Sequence, residues 1–199
     1  MALGTDTPPY EPRFDAGRIC LDLLGTAHPE ERLDSPASLC AWIAGSGLVP
    51  PGTALAHADL SWLDAFRELR GHVGDLVHGC LSGTLPSHAH ARALAHLNAL
   101  ARPAPPAPRA VRSEDGTLVR ELADPPGCVS LLAVVARDAV DLLTDPVARA
   151  ALRQCEGDNC PIVYLDTSRG RRRRWCSSEV CGNRERVARH RRRAAMART

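Results

Sequence analysis

The chain has 199 residues and a mass of 21.4 kDa, with 44% hydrophobic and 24% charged residues, a balance that excludes a disordered chain and leaves room for two folding units at most. Its seven aromatics (Tyr10, Phe14, Trp42, Trp62, Phe66, Tyr164 and Trp175) leave the core to Leu, Val and Ala, which favours helices over a sandwich. The net charge of +2 hides a division: residues 1–150 carry 12 Arg against 18 acids, whereas residues 151–199 carry 13 Arg against 5, the pattern of an acidic body joined to a basic module that meets a polyanion.

No stretch approaches the ~18 apolar residues that span a bilayer, and residues 1–12 lack a basic segment followed by an apolar one, so a cytoplasmic protein with no membrane partner is expected. Abundant Ala, and Arg with no Lys, are what a GC-rich genome produces, so Arg usage alone carries little functional weight.

Along the body, Ser35-Pro36 starts a helix with Leu39, Trp42 and Ile43 on one side, closed by Gly45 and Gly47. Asp59 caps a longer one in which Leu63, Phe66, Leu69, Val73, Leu76, Val77 and Cys80 follow the helical period to Gly83. A third runs from Ser87 to Ala101 with Leu94 and Leu97 inward, until the proline-rich linker 103–108 stops it. Residues 110–122 read as a hairpin turning at Asp115-Gly116. Leu131, Leu132, Val135, Ala139, Leu142 and Leu143 then form the last body helix before Asp145-Pro146. The fold class expected is mainly α with a small β-hairpin: a helical N-terminal domain over 1–149 and a separate small C-terminal module over 150–199.

Cysteine placement marks the same boundary. Cys20, Cys40, Cys80 and Cys128 stand apart and read as small buried hydrophobes, whereas Cys155, Cys160, Cys176 and Cys181 form two C-x4-C pairs fifteen residues apart. Four thiolates on two short loops complete a tetrahedral shell with no open position, so one structural Zn2+ per chain is expected, not a catalytic metal. The loop Glu156-Gly157-Asp158-Asn159 has the Gly and Asn that a tight knuckle needs. Between the pairs, the run 161–175 reads as a two-stranded hairpin: apolar residues, a turn at Thr167–Gly170, and a basic strand over Arg171, Arg172, Arg173 and Arg174. Asp166 is placed to anchor the turn or pair with an Arg, and Trp175 to cover the metal. Ser177 or Ser178 then caps a helix, completing a treble-clef-like unit.

On that helix Arg186, Arg189, His190 and Arg193 fall within an arc of about 100°, while Val187, Ala188, Ala194 and Ala195 lie outside it. A basic helix face fixed to a zinc module and flanked by Arg171–Arg174 suits double-stranded DNA, with the helix in a major groove and the other cations on phosphates.

The runs Asp166-Thr167-Ser168-Arg169, Arg173-Arg174-Trp175-Cys176-Ser177 and Cys181-Gly182-Asn183-Arg184 resemble the CGNR zinc finger, which usually follows an ABATE domain in bacterial proteins associated with stress-induced transcription regulation. The N-terminal part agrees: Gly17-Arg18-Ile19-Cys20-Leu21-Asp22-Leu23 resembles the opening of ABATE domains, Leu39 and Trp42 suit the following helix, and Arg67-Glu68-Leu69-Arg70 resembles the central one. The resemblance implies Cys155, Cys160, Cys176 and Cys181 as zinc ligands and extends DNA contact to Arg184. Gly25 stands where the family usually has Asn, and Ser178 where it often has Met.

These readings converge on a non-enzymatic, nucleoid-associated transcription regulator whose body binds a small-molecule effector, forms a homodimer, or both. No Gly-rich phosphate loop, G-x-S-x-G or H-E-x-x-H is present. His28-Pro29-Glu30 lacks the P-C-x-x-C partner of a zinc deaminase, and His88, His90 and His96 are spaced as surface histidines. The alternatives are an RNA-binding module, for which only Tyr164 and Trp175 could stack on bases, and an adaptor gripping a protein of the transcription machinery.

Overall fold

The computed structural model describes residues 12–83 and 88–196. In chain order it forms α1 (Ile19–Gly25), α2 (Pro36–Gly45), α3 (Leu60–Ser82), α4 (His88–Ala101), β1 (Pro108–Arg112), β2 (Leu118–Leu122), α5 (Cys128–Thr144), α6 (Pro146–Ala150), β3 (Leu152–Gln154), β4 (Val163–Leu165), a π-helical turn (Ser178–Gly182) and α7 (Asn183–Met196). The chain is thus mainly helical, with two small antiparallel strand pairs.

Local chemistry explains the helix ends. Ser35 and Ser38 form a capping box at the start of α2, each side chain meeting the other's backbone N–H. Asp59 accepts from Ser61 N and Trp62 N at the start of α3, and Gly83 closes that helix at φ 65°. The expected helix start at Ser87 lies outside the described residues, as does Tyr10. Beyond α5, Asp145 accepts from Val147 N and starts the extra short helix α6. In the first hairpin Asp115 accepts from Thr117 N, and Gly116 takes φ 86°, where a side chain would be strained.

The core lies where α3, α4 and α5 pack on one another and on α1, with α2 laid against α3. Trp42 meets the edge of Phe66 at 6.0 Å between ring centroids, and Leu69, Val73, Leu97, Leu131, Val135 and Leu142 are fully enclosed. Two expected core positions fall elsewhere. On α4 the pair Ala93 and Leu97 faces inward at helical spacing, leaving Leu94 48% exposed. In the last turn of α3 it is Gly79, lying beneath His90, that is buried, whereas Cys80 is exposed. Of the isolated cysteines Cys20 is buried, and Cys40 and Cys128 are half-buried.

The short α1 takes its place from α5. No side chain of its own caps it; instead Asp138 of α5 accepts from Cys20 N at 3.0 Å and ion-pairs with Arg18 at 2.8 Å. The loop that follows is held by α3: Arg67 donates to Leu33 O at 2.8 Å, and Arg70 to Thr26 Oγ1 and Glu31. These are the Arg residues of the central motif.

One buried apolar cluster runs from these helices into Leu152, Val163 and Tyr164. The expected hairpin within 161–175 does not form. Instead β4 pairs with β3, in register Leu152↔Leu165 and Gln154↔Val163, and the Arg run leaves the sheet. It does so because Tyr164, fully buried, donates its hydroxyl to Arg173 O at 2.5 Å, while Asp166 accepts from Ser168 N and Arg173 N. Asp166 therefore anchors the turn, and no Arg side chain among the described residues lies within ion-pair distance of it. Leu165 N donates to Ala16 O, and Gly17 takes φ 84°, where a side chain would be strained and its Cβ would stand 3.4 Å from Leu165 Cβ.

Candidate metal centre and its basic helix

Two tight turns bring the four sulfurs together. In the first, Cys155 N donates to Ile162 O and Cys160 N to Gly157 O, with Asn159 in the left-handed region at φ 56°. A Cβ at Gly157 would stand 3.2 Å from Cys181 Sγ and 3.4 Å from Cys155 Sγ, so a side chain there would press on two of the sulfurs. In the second, Gly182 N donates to Ser177 O, a hydrogen bond spanning five residues, and Ser177 caps the turn by accepting from Glu179 N and Val180 N. The bond from Gly182 to Ser177 has the i→i+5 span of a π-helical turn, and it brings Cys181, inside the turn, back to Cys176, just before its extended cap, sulfur to sulfur at 3.7 Å.

The Cys160 and Cys176 sulfurs are 3.8 Å apart, and all four lie within 4.8 Å of one another. A disulfide needs about 2.05 Å, whereas sulfurs about 2.3 Å from a tetrahedral ion stand roughly 3.8 Å apart along each edge. The donor chemistry fits as well. Burial, then the nearby Cys160 and Cys155, push the Cys176 thiol far above its ordinary range, and burial raises Cys181 to about 11. Burial acts the same way on Cys155, but N–H groups of Cys176, at 3.3 Å, and Gly157, at 3.4 Å, outweigh it and lower that thiol. Four crowded sulfurs, three on buried residues and one on the half-buried Cys160, with backbone donors aimed at Cys155, suit a dication that neutralises the others. Trp175 is half-buried and lies 3.6 Å from where a Gly182 Cβ would stand.

The nine cationic residues expected at a nucleic-acid interface divide by what they touch. Arg173 faces inward: its guanidinium stacks on Tyr164 at 4.5 Å and donates to the carbonyls of Trp175, Cys176 and Asp15. It fastens the finger to the body, a role that sequence reasoning missed because those carbonyls carry no side-chain signature. Arg174 ion-pairs with Glu156 at 2.6 Å and lies over Trp175. Arg171 and Arg172 are exposed, and no acceptor among the described residues holds their guanidinium groups. On α7, Arg186, Arg189, His190 and Arg193 are all exposed; Arg186 reaches back to Ser178 O, and Arg192 pairs with Glu185. The opposite side of α7, expected to pack, stays largely open: Val187 is exposed, and the principal partner of α7 is the π turn.

Arg184 is placed apart. With Arg13, Arg32, His28 and the buried Asp22 it lines a cavity of about 390 Å³ between α1 and the knuckle, floored by Leu21 and Ile162 and bordered by Cys160, Cys176 and Cys181. Burial pushes Asp22 up to about 6, although its carboxylate accepts from Ala16 N at 2.9 Å. Gly25 opens on this cavity, and a Cβ there would stand 3.7 Å from Ile162 Cδ1, ordinary contact. Sequence reasoning singled out Gly25 and Arg184 but could not see that they share one cavity.

Comparison with known families now bears on this geometry. The ABATE model, described as "Putative stress-induced transcription regulator", matches residues 17–146, and the CGNR zinc finger model matches residues 151–194. No curated protein matches the chain. The four-cysteine cluster inside the finger accounts for one structural Zn2+. No helix among the described residues is long and apolar enough to cross a membrane.

Proposed function

This chain belongs to the ABATE family and carries a CGNR zinc finger, and on that footing we propose that it is a DNA-binding transcription regulator in which Cys155, Cys160, Cys176 and Cys181 ligate the zinc. The observation that carries the reading is the placement of charge. Arg186, Arg189, His190 and Arg193 project into solvent from a helix whose first turn continues directly from the π turn bearing Cys181. At 14 residues α7 is about 21 Å long, enough to lie in a major groove, with Arg171 and Arg172 free to hold flanking phosphates. Arg173 serves the fold, and Arg174 contributes after releasing Glu156.

The RNA alternative loses ground here. Readers of single-stranded RNA stack bases on exposed aromatics, yet Tyr164 is fully buried and Trp175 half-buried under Arg174. The cavity beside the knuckle is the effector site in this reading: its size suits a small molecule, and Arg13, Arg32 and Arg184 around an apolar floor suit an organic anion. An occupant would touch α1 and the finger at once. Dimerisation through the body would supply a second half-site.

Duplex binding measured against salt concentration tests the proposal. Replacing Arg186, Arg189 and Arg193 together with Ala should weaken binding and lower the log–log salt slope by roughly 2.7, about 0.9 for each phosphate that is no longer neutralised. Absence of duplex binding at low salt, or an unchanged slope, would overturn it.

A further inference from the structure

A second group of metal-binding side chains lies on the body, away from both the finger and the cavity. Glu68 and His72 sit one turn apart on α3 and share a face, and His96 reaches them from α4. The two imidazole rings are 4.4 Å apart between centroids. Nε2 of His72 and Nε2 of His96 stand 3.8 and 3.9 Å from the same Glu68 oxygen, and all three donor atoms fall within 4.8 Å of one another. Those separations are too long for hydrogen bonds. Among the described residues no hydrogen bond engages either imidazole, so the three polar atoms converge at ion-pair distance, with the two imidazoles sharing one carboxylate oxygen.

Donors about 2.1 Å from a tetrahedral ion lie roughly 3.4 Å apart; each imidazole already stands within about half an ångström of that spacing from Glu68, and the three donors within 4.8 Å of one another need only side-chain adjustment to close on a metal. We propose that Glu68, His72 and His96 bind one divalent transition-metal ion, with Zn2+ as the first candidate. Two imidazoles and one carboxylate suit zinc and its neighbours over magnesium or calcium. The site differs from the finger in kind. Three protein donors leave a position open to water, and the Glu68 side chain is 60% exposed, so the ion would exchange where the finger's would not. Asp75 and Arg92 line the same cleft; the carboxylate favours a cation and the guanidinium opposes it. An ion held here would tie α3 to α4 and give the body an input that owes nothing to DNA binding or to the cavity.

The test uses the full chain carrying its one finger zinc, titrated calorimetrically with Zn2+ alone at slightly alkaline pH, where imidazole is neutral. A second equivalent should bind and be stripped by a weak chelator while the first remains. His72→Gln and His96→Gln should each abolish it without loss of the first. Glu68→Gln, at an exposed position where the fold is not at risk, should weaken it by about tenfold or more, at least what losing an outer partner of a metal ligand costs. Absence of a second equivalent, or one that survives these substitutions, would overturn the proposal.

Discussion

Residues 17–146 and residues 151–194 are held by different physics. In the former, Trp42, Phe66, Leu69 and their neighbours on α2–α5 are removed from water, and each large side chain contributes roughly 1.5–3 kcal/mol by that burial alone. In the latter the sulfurs are joined by few apolar residues, chiefly Leu152, Val163 and Tyr164, and these belong to the same buried cluster as the helices. The finger therefore leans on the body for packing and on its metal for closure. Loss of metal and loss of core should be separable injuries.

The largest effect tests the metal side. Cys181→Ser should release the zinc and dissolve the π turn and α7, because such ions supply ~10–16 kcal/mol of apparent folding free energy; after a weak chelator has cleared the body site, elemental analysis should read no zinc while helical circular dichroism from the body persists. Zinc retained at one per chain would break the comparison. The converse injury is Phe66→Ala, expected to cost ~3–5 kcal/mol and to lower the melting temperature sharply while the folded fraction keeps one zinc.

Asp22, between the two regions, gives a pH-dependent case. Its carboxyl titrates near 6 in the folded chain against an ordinary 3.8, so the folded state holds a proton that the unfolded state has lost. Stability should fall as pH rises from about 4 to about 6, and the full penalty should persist above that. Asp22→Asn keeps an acceptor for Ala16 N and should stabilise the chain at neutral pH by on the order of 2–3 kcal/mol. Denaturation curves at several pH values should show that gain vanishing below about pH 4.

Comparable in size is Arg173→Lys. A lysine cannot span the carbonyls of Trp175, Cys176 and Asp15 together, and breaking each charge-assisted bond costs roughly 1.5–3 kcal/mol. Proteolysis should then release the finger sooner; Arg173→Ala, which also removes the charge, should leave the DNA salt slope unchanged, and a slope lowered by about 0.9 would return Arg173 to the interface. The smallest effect belongs to the first hairpin, where Arg109 pairs with Glu121 on the surface. Arg109→Ala should change stability by about 0–1 kcal/mol, checked by urea denaturation.

Much of this was legible in the residues alone. Ser35, Asp59, Ser177 and Asp115-Gly116 announce caps and a turn because those interactions close within a few residues of chain. The inward rows of α2, α3 and α5 follow because a helix face recurs every 3.6 residues whatever lies opposite. Four cysteines in two C-x4-C pairs announce a zinc site because their chemistry and spacing are local. The partner of β4, the inward turn of Arg173, the burial of Tyr164, the cavity joining Gly25 to Arg184 and the meeting of Glu68, His72 and His96 had no such signal. Each joins groups from separate elements, so only the way α1, α3, α4 and the finger pack decided which side chains came within reach of one another.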